Sequence, residues 1–357
     1  MSFEILKRDT NIDFVGMRKY AYVLSAVMLL TGFLSLLVKG GPQYGIDFVG
    51  GFNVQVKFSQ SVELDKVRMA LDSPALPGLV VQDFGEASDH EVLLRASYSE
   101  QSATAVREAV AGGLESAFPG VTHEIQRLEM VGPKVGADLR EKALEAIFYA
   151  VLLIATYISG RFEQKWMVAG LMAAGLASVV YVLDLLNAPT GLSVIVATMA
   201  ALVLCVVLRL KYALGAIVAL IHDVMIPLGI FSLLNKDVDL TIIAALLTIV
   251  GYSLNDTIII YDRIRENIRA KASPSLDVII NRSVNQTMSR TLITAGTTFV
   301  AVFALFIFGG GVIHDFALTM LIGVVVGTYS SIFVGAPILA FFKPRIDTEE
   351  QPEPAAA

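Results

Sequence analysis

Long apolar stretches dominate the hydropathy pattern of the chain. A helix needs about 20 mainly apolar residues to cross the roughly 30 Å hydrocarbon core of a bilayer. Eight stretches of about this length occur, and each predicts one transmembrane helix. They cover residues 19–38, 143–159, 166–186, 191–208, 212–233, 240–261, 291–309 and 317–341. The chain is therefore predicted to be an α-helical polytopic membrane protein.

The segment 39–142 breaks this pattern and predicts a soluble domain. Apolar and polar residues alternate from Phe52 to Phe58, which is typical of a strand with one buried face. Helices are then predicted at 62–71 and 101–117, and strands at 79–84, 91–96 and 121–130. The resulting order, βαββαβ, is that of an α+β ferredoxin-like unit.

Lysine and arginine residues are distributed unevenly over the loops between the predicted spans. Such residues accumulate in short cytoplasmic loops. With the N-terminus in the cytoplasm, the following residues lie on the inside: Lys7, Arg8, Arg18, Lys19, Arg161, Lys165, Arg209, Lys211, Arg263, Arg265, Arg269, Lys271, Arg282, Arg290, Lys343 and Arg345. The opposite short loops contain only Lys236. We therefore predict that segment 1–18 and the tail 342–357 are cytoplasmic and that the domain 39–142 is periplasmic.

Composition supports a membrane protein and excludes several other classes. Of the 357 residues, 55% are hydrophobic and 17% are charged, which is outside the balance of an ordinary soluble domain. The net charge of -6 offers no basic surface for nucleic acid. The single cysteine, Cys205, lies in an apolar stretch and can build neither a disulfide framework nor a metal cluster. The sequence contains no nucleotide-binding, zinc or serine-hydrolase motif, so we predict no enzymatic activity, cofactor or metal.

Three positions stand out as ionisable side chains within or next to the apolar spans, because a charged group costs about 2.5 to 3.5 kcal/mol at a helix centre. Asp223 lies in the fifth span beside His222, Asp256 lies in the sixth, and Arg290 is at the start of the seventh. Burial favours a neutral acid, whereas a neighbouring arginine favours the carboxylate. An aspartate that gains and loses an arginine partner can therefore load and release a proton. Because consecutive helices are usually neighbours, we expect Asp256 and Arg290 to lie close together.

Each of these positions also has a structural interpretation. Asp256 could lie near the membrane interface and be solvated, and Arg290 could extend to the lipid headgroups. Asp223 and His222 could form a hydrogen-bonded pair that only fixes helix packing. The sequence leaves these alternatives open.

Several motifs resemble those of the SecD/SecF family of protein-export membrane proteins, in particular its SecF branch. They extend over most of the chain and comprise Gly45–Gly51, Val131–Gly136, Val250–Thr257, Tyr261–Asn267 and Ser289–Thr298. The residues that we assign to the family motifs are Gly45, Asp47, Gly50, Gly51, Arg263 and Arg265.

This resemblance implies an accessory subunit of the bacterial Sec translocase in the cell inner membrane. Such a subunit uses the proton motive force to promote late-stage translocation of secreted polypeptides. The implied partners are SecD, the SecYEG channel, YajC and YidC, together with the unfolded polypeptide and membrane lipid. In that family the residues matching Asp256 and Arg290 are implicated in coupling proton flow to movement of the periplasmic domain. We add Asn255, Asp223 and His222 as candidates for this site, which would bind a proton or another cation only transiently.

One departure from the family and two rival functions follow from the same sequence. SecF members usually have six spans, so the hairpin 166–208 is additional. The residues after Ile158 resemble those after Leu208. A local duplication of two spans would explain both the additional hairpin and this similarity. A small-molecule exporter of the resistance-nodulation-division superfamily is disfavoured, because such pumps carry two large periplasmic insertions. A structural subunit that conducts no ions is the second alternative.

Overall fold

A computed structural model gives the fold of residues 11–85, 88–273 and 275–342. These residues form a bundle of long helices, with a small α/β domain inserted after the first helix. Four basic residues used for the predicted orientation lie outside the described residues, namely Lys7, Arg8, Lys343 and Arg345. In chain order the elements are α1 (Arg18–Val38), α2 (Ile46–Val49), β1 (Gly51–Phe58), α3 (Leu64–Ala70), β2 (Val80–Phe84), β3 (Glu91–Ala96), α4 (Ala103–Ala117), β4 (His123–Val131), α5 (Pro133–Glu163), α6 (Trp166–Leu185), α7 (Thr190–Val207), α8 (Lys211–Leu233), α9 (Leu240–Arg269), α10 (Leu276–Phe308), α11 (Gly310–Ser330) and α12 (Ala336–Ile338).

The helices confirm the predicted spans. Within the described residues, eight helices are long and apolar enough to cross a membrane. Four of them extend well beyond the predicted apolar stretches: α5 begins at Pro133, α9 ends at Arg269, α10 begins at Leu276 and α11 begins at Gly310. These extensions contain charged residues, many of which are good helix formers although they are not apolar. Hydropathy therefore marks only the apolar part of each helix.

The soluble domain has the predicted ferredoxin-like topology. Its sheet has the strand order β2–β3–β1–β4, and all neighbouring strands are antiparallel. Alternate side chains of β1, from Phe52 to Phe58, are at most 2% exposed. Helix α4 packs on them through Val106, Val110 and Leu114, which recur at helical spacing. This arrangement confirms the predicted βαββαβ order.

Helix α8 lies at the centre of the membrane bundle and contacts α1, α5, α7, α9 and α11. Its approach to α1 is especially close, because a Cβ atom placed on Gly32 would lie 2.8 Å from the Cα atom of Gly229. Small residues permit such close packing between membrane helices. One turn from this contact, the hydroxyls of Ser35 and Ser232 are hydrogen-bonded at 2.8 Å. The close approach also brings the polar side chains of α1 within reach of α8.

The last span is irregular in its second half. After α11 the chain continues as a π-helix, Ser331–Gly335. Such a turn is wider than an α-helical one and is frequent at functional sites. The carbonyl oxygen of Gly335 accepts a hydrogen bond from the Tyr261 hydroxyl at 3.1 Å. Ser330 and Ser331 are both fully buried, so this region directs two consecutive hydroxyl groups into the bundle.

Candidate functional site

Asp256 is buried among the helices and has no hydrogen-bond partner among the residues that the structure describes. Its side chain, on α9, is 1% exposed. Neither carboxyl oxygen accepts or donates a hydrogen bond within the described part of the chain. An unpartnered carboxylate in such a site is strongly disfavoured, whereas a neutral carboxylic acid is tolerated more easily. This burial excludes the alternative in which Asp256 is solvated at an interface.

Arg290 lies on the neighbouring helix α10, and its side chain is exposed. Its charge acts on Asp256, but neither carboxyl oxygen of Asp256 has a hydrogen-bond partner among the described residues, so the two side chains are not directly bonded. Asn267 of α9 donates to Ser283 of α10 at 2.8 Å, which fixes the antiparallel register of the pair. Eleven residues away from that contact on each helix, Asp256 lies opposite Thr294. Arg290 is therefore about one turn nearer the N-terminus of α10, and helical side chains lean toward the N-terminus, away from Asp256.

Asp223 has the opposite environment to Asp256, because both of its oxygens are engaged. It is completely buried on α8. One oxygen, Oδ1, lies 3.0 Å from Nδ1 of His222. The other, Oδ2, accepts hydrogen bonds from Ser253 of α9 at 2.5 Å and from Ser330 of α11 at 2.8 Å. Asp223 therefore joins three helices through one carboxyl group.

Hydroxyl groups also connect the surroundings of Asp223 to those of Asp256. Ser253, which binds Asp223, lies three residues before Asp256 on α9, and residues at this spacing are neighbours on one helix face. The hydroxyl of Ser331 is hydrogen-bonded to that of Thr257 at 2.8 Å and donates to the carbonyl of Ser253 at 3.3 Å. The two acids thus belong to one buried polar region.

The other predicted site residues lie away from this region. Asn255 is exposed on α9. Arg263 forms an ion pair with Glu266 on the same helix at 2.9 Å, and Arg265 donates to the carbonyl of Arg161 at 2.8 Å. These two arginines therefore stabilise the end of the α9 helix and its contact with α5.

The first family motif forms the junction between the soluble domain and the helix bundle. The φ angles of Gly50 and Gly51 are +81° and +144°, and a Cβ atom on Gly51 would lie 2.4 Å from the carbonyl oxygen of Ala96. Only glycine fits this backbone without strain. Gly45 donates its backbone N–H to the carbonyl of Val238 at 2.9 Å, and Asp47 accepts the N–H of Leu240 at 3.1 Å. The motif therefore contacts the N-terminus of α9, the helix that carries Asp256.

Some residues of the buried polar region were not predicted from the sequence. Ser25 stands alone in an apolar stretch and Ser253 follows Tyr252, whereas Tyr329 and Ser330 belong to a run of hydroxyl residues, Thr328–Ser331, within the last span. That run interrupts an apolar stretch and is a signal from which the polar region could have been predicted. The hydrogen bonds of the three serines to Asp223 or His222, and that of Tyr329 to Ser25, become visible only when α1, α8, α9 and α11 are assembled.

Comparison with known proteins identifies the same family throughout the chain. The model for the SecD/SecF GG motif matches residues 35–62, and the model for the C-terminal part of the protein export membrane proteins SecD/SecF matches residues 114–202 and 184–345. Protein translocase subunit SecF of Desulfurispirillum indicum is 38% identical over 94% of this chain and 92% of its own. The subunit SecF of Magnetococcus marinus is 40% identical over 96% of this chain and 95% of its own.

A solved structure shows the same architecture. The crystal structure of SecDF, a translocon-associated membrane protein from Thermus thermophilus, has a TM-score of 0.69 and 28% identity to this chain. The match covers 96% of this chain and 40% of that protein. This chain therefore spans about two fifths of the length of the solved SecDF chain.

The C-terminal family model matches in two parts that overlap within the additional hairpin. A duplicated pair of spans would produce such a result, because α5 and α7 would then both align with one span of the family. The GG-motif match includes the junction at Gly45 to Gly51, and the second C-terminal match includes the helices that carry Asp223, Asp256 and Arg290. The chain therefore belongs to the SecD/SecF family of protein export membrane proteins.

Proposed function

We propose that this protein is an accessory subunit of the Sec protein-export translocase that couples the proton motive force to late translocation of secreted polypeptides. The observation that carries this proposal is its similarity, over nearly the whole chain, to proteins named translocase subunit SecF. The protein spans the bacterial inner membrane with both termini in the cytoplasm and the ferredoxin-like domain in the periplasm. The basic residues of the loops support this orientation.

Asp256 is the principal proton-binding group in this mechanism. In the conformation described above, the acid is buried and unpartnered, which favours its protonated form. A small rotation of α9 or α10 would bring the Asp256 carboxyl toward the guanidinium of Arg290 and favour proton release. One charge that moves through 100 mV releases about 2.3 kcal/mol, which shifts an equilibrium about fiftyfold. Proton passage can therefore bias two arrangements of these helices.

The junction described above gives the helices a route to the soluble domain. Asp239 caps α9 by accepting the N–H of Ile242 at 2.8 Å, and Asp47 of the GG motif binds the N–H of Leu240 in the same turn. Movement of α9 would pull on α2 and on the two glycines that follow it. The domain would then change its position over the emerging polypeptide and prevent it from sliding back.

SecD is the partner that the comparisons favour. The solved SecDF chain contains, beyond the part that matches this protein, a further portion that would correspond to SecD. The SecYEG channel, with YajC and YidC, completes the proposed assembly, and unfolded secretory polypeptide is the substrate. The exposed apolar faces of α1, α6 and α7 leave ample surface for lipid and partner helices.

Proton-driven export in proteoliposomes tests the proposal. Complexes that contain the Asp256→Asn variant should translocate a secretory precursor at the rate seen without a proton gradient, while wild-type complexes are accelerated by the gradient. Asp184→Asn is the matched control, because it removes the same charge from an exposed position on α6. Normal gradient-driven acceleration with Asp256→Asn would favour a structural subunit that conducts no ions. Energised extrusion of a small molecule, with no effect on precursor, would favour an exporter.

A further inference from the structure

A chain of hydrogen bonds runs from Asp223 into helix α1. His222 lies between Asp223 and Ser25, with Nδ1···Oδ1 at 3.0 Å and Nε2···Oγ at 3.1 Å. The Ser25 hydroxyl lies 3.0 Å from the hydroxyl of Tyr329, which donates to the carbonyl of Ala21 at 2.6 Å. His222, Asp223 and Ser25 are at most 6% exposed. The polar atoms of these three side chains therefore depend on these contacts rather than on bulk water.

The chain has a fixed direction, because a carbonyl oxygen can only accept. The Tyr329 hydroxyl uses its single hydrogen on Ala21, so Ser25 must donate to Tyr329. The hydrogen of Ser25 is then no longer available, and Nε2 of His222 must donate to Ser25. A second hydrogen is still needed between Nδ1 of His222 and Oδ1 of Asp223. It can be carried by the ring nitrogen or by the carboxyl oxygen.

A neutral histidine beside an ionised Asp223 does not supply the two hydrogens that the contacts of His222 with Ser25 and Asp223 require. It supplies only one ring hydrogen for two contacts, so one link of the chain would bring two lone pairs together. It would also leave a net negative charge at a site with no solvent exposure, which is costly in a membrane protein. One added proton removes both problems, because the His222–Asp223 pair is then electrically neutral whichever atom carries the proton.

We infer that His222 and Asp223 together bind one exchangeable proton, and that Ser25 and Tyr329 hold it there by fixing the direction of the hydrogen-bond chain. This is a second proton-binding site beside Asp256, and its use in export rests on the function proposed above. When the proton leaves for a base, an N–H or O–H bond breaks and its electron pair remains on His222 or Asp223. Ser25 then donates to His222, and one contact between α1 and α11 is lost.

The surroundings of the pair are compatible with such an exchange. A crevice of about 340 Å³ between α1, α7 and α8 reaches His222 and is lined by Tyr22 and Ser25. The titratable side chains near the pair are Tyr22 on α1, Tyr329 on α11 and Asp256 on α9. Asp256 lies one turn along α9 from Ser253, the residue that donates to Asp223. The pair therefore lies between this crevice on one side and Asp256 on the other.

Spectroscopy of the full-length protein with its partner subunit tests the proton count independently of export. The ring nitrogens of His222 are assigned in ¹⁵N-histidine NMR spectra by their loss in His222→Gln. At pH 7 we expect either two protonated ring nitrogens, or one at Nε2 together with an infrared carboxylic acid band that disappears in Asp223→Asn. A single protonated ring nitrogen without that acid band would overturn the inference, whereas failure of proton-driven export alone would leave it standing.

Two conservative variants test the role of the chain. Tyr329→Phe removes the hydroxyl that accepts the hydrogen of Ser25, and Ser25→Ala removes the hydroxyl that accepts the hydrogen of His222 Nε2. The ratio of proton-loaded to proton-free pair at a given pH should fall about fivefold in each, the factor for one net hydrogen bond. Ser35→Ala is the control, because it removes a hydroxyl contact between the same helices α1 and α8 without touching the pair. An unchanged ratio in both test variants, or an equal fall in Ser35→Ala, would overturn the assignment of Ser25 and Tyr329.

Discussion

The ion pair between Arg95 and Asp237 is predicted to anchor the soluble domain to the helix bundle. Arg95 lies on β3, Asp237 lies in the turn between α8 and α9, and their side chains are 20% and 23% exposed. Beside them, Gly45 donates its N–H to Val238, and Val238 donates its own N–H to Gln43 at 2.7 Å. These two amide hydrogens lie in the junction and therefore report on its opening.

The effect of removing the pair can be estimated from its partial burial. Hydrogen bonds to charged groups contribute about 1.5 to 3 kcal/mol. A loss of about 2 kcal/mol would make local opening of the junction about thirtyfold more frequent. Either single variant should show this effect, because each leaves one charge without its partner in a partly buried cleft. Arg95→Gln leaves Asp237 unpaired, and Asp237→Asn leaves a desolvated Arg95.

Hydrogen exchange of the intact protein measures this opening at the amides of Gly45 and Val238. The loss of protection in the double variant should be smaller than the summed losses of the two single variants, because the two side chains contact each other. Lys57→Gln is the control, since Lys57 pairs with Glu91 at 3.6 Å within the same sheet and away from the junction. Unchanged exchange at the two junction amides in Arg95→Gln would refute the anchor. Equal loss of protection throughout the sheet would show that Arg95 stabilises only the domain itself.

Three further predictions concern the proton site, the domain and the hairpin. Arg290→Met should abolish proton-stimulated export as Asp256→Asn does. The double variant should export no more slowly than either single variant, because the effects of a coupled pair are non-additive. Normal export by Arg290→Met would exclude a functional pair of Asp256 and Arg290. The fragment 40–135 should fold alone because its sheet has its own core, and a random-coil circular dichroism spectrum would contradict this. A cysteine at Asn187, in a Cys205→Ser background, should be labelled from the periplasmic side, and labelling only from the cytoplasm would exclude a pair of true crossings.

The sequence predicted the architecture well because that information is local. Each span is an apolar run of sufficient length, and the strand of β1 is an alternating pattern from Phe52 to Phe58. Asp223 and Asp256 stand out for the same reason, since each interrupts an apolar stretch, and Arg290 stands out because it directly precedes one. The cost of placing these charges in apolar spans already suggested a proton-loading role. The family motifs connected that role to movement of the periplasmic domain.

Only the tertiary structure decided which polar groups meet. Asp223 and Asp256 look alike in the sequence, yet the first accepts hydrogen bonds from two serines on other helices and the second has no partner among the described residues. The charge of Arg290 on α10 acts on Asp256, yet no hydrogen bond joins the two side chains among the described residues. The π-helical turn and the close approach at Gly32 bring hydroxyls from α11 and α1 to the same place. These contacts join residues far apart in the chain, so no local pattern encodes them. Helix packing determines which acid is hydrogen-bonded and which has no partner among the described residues.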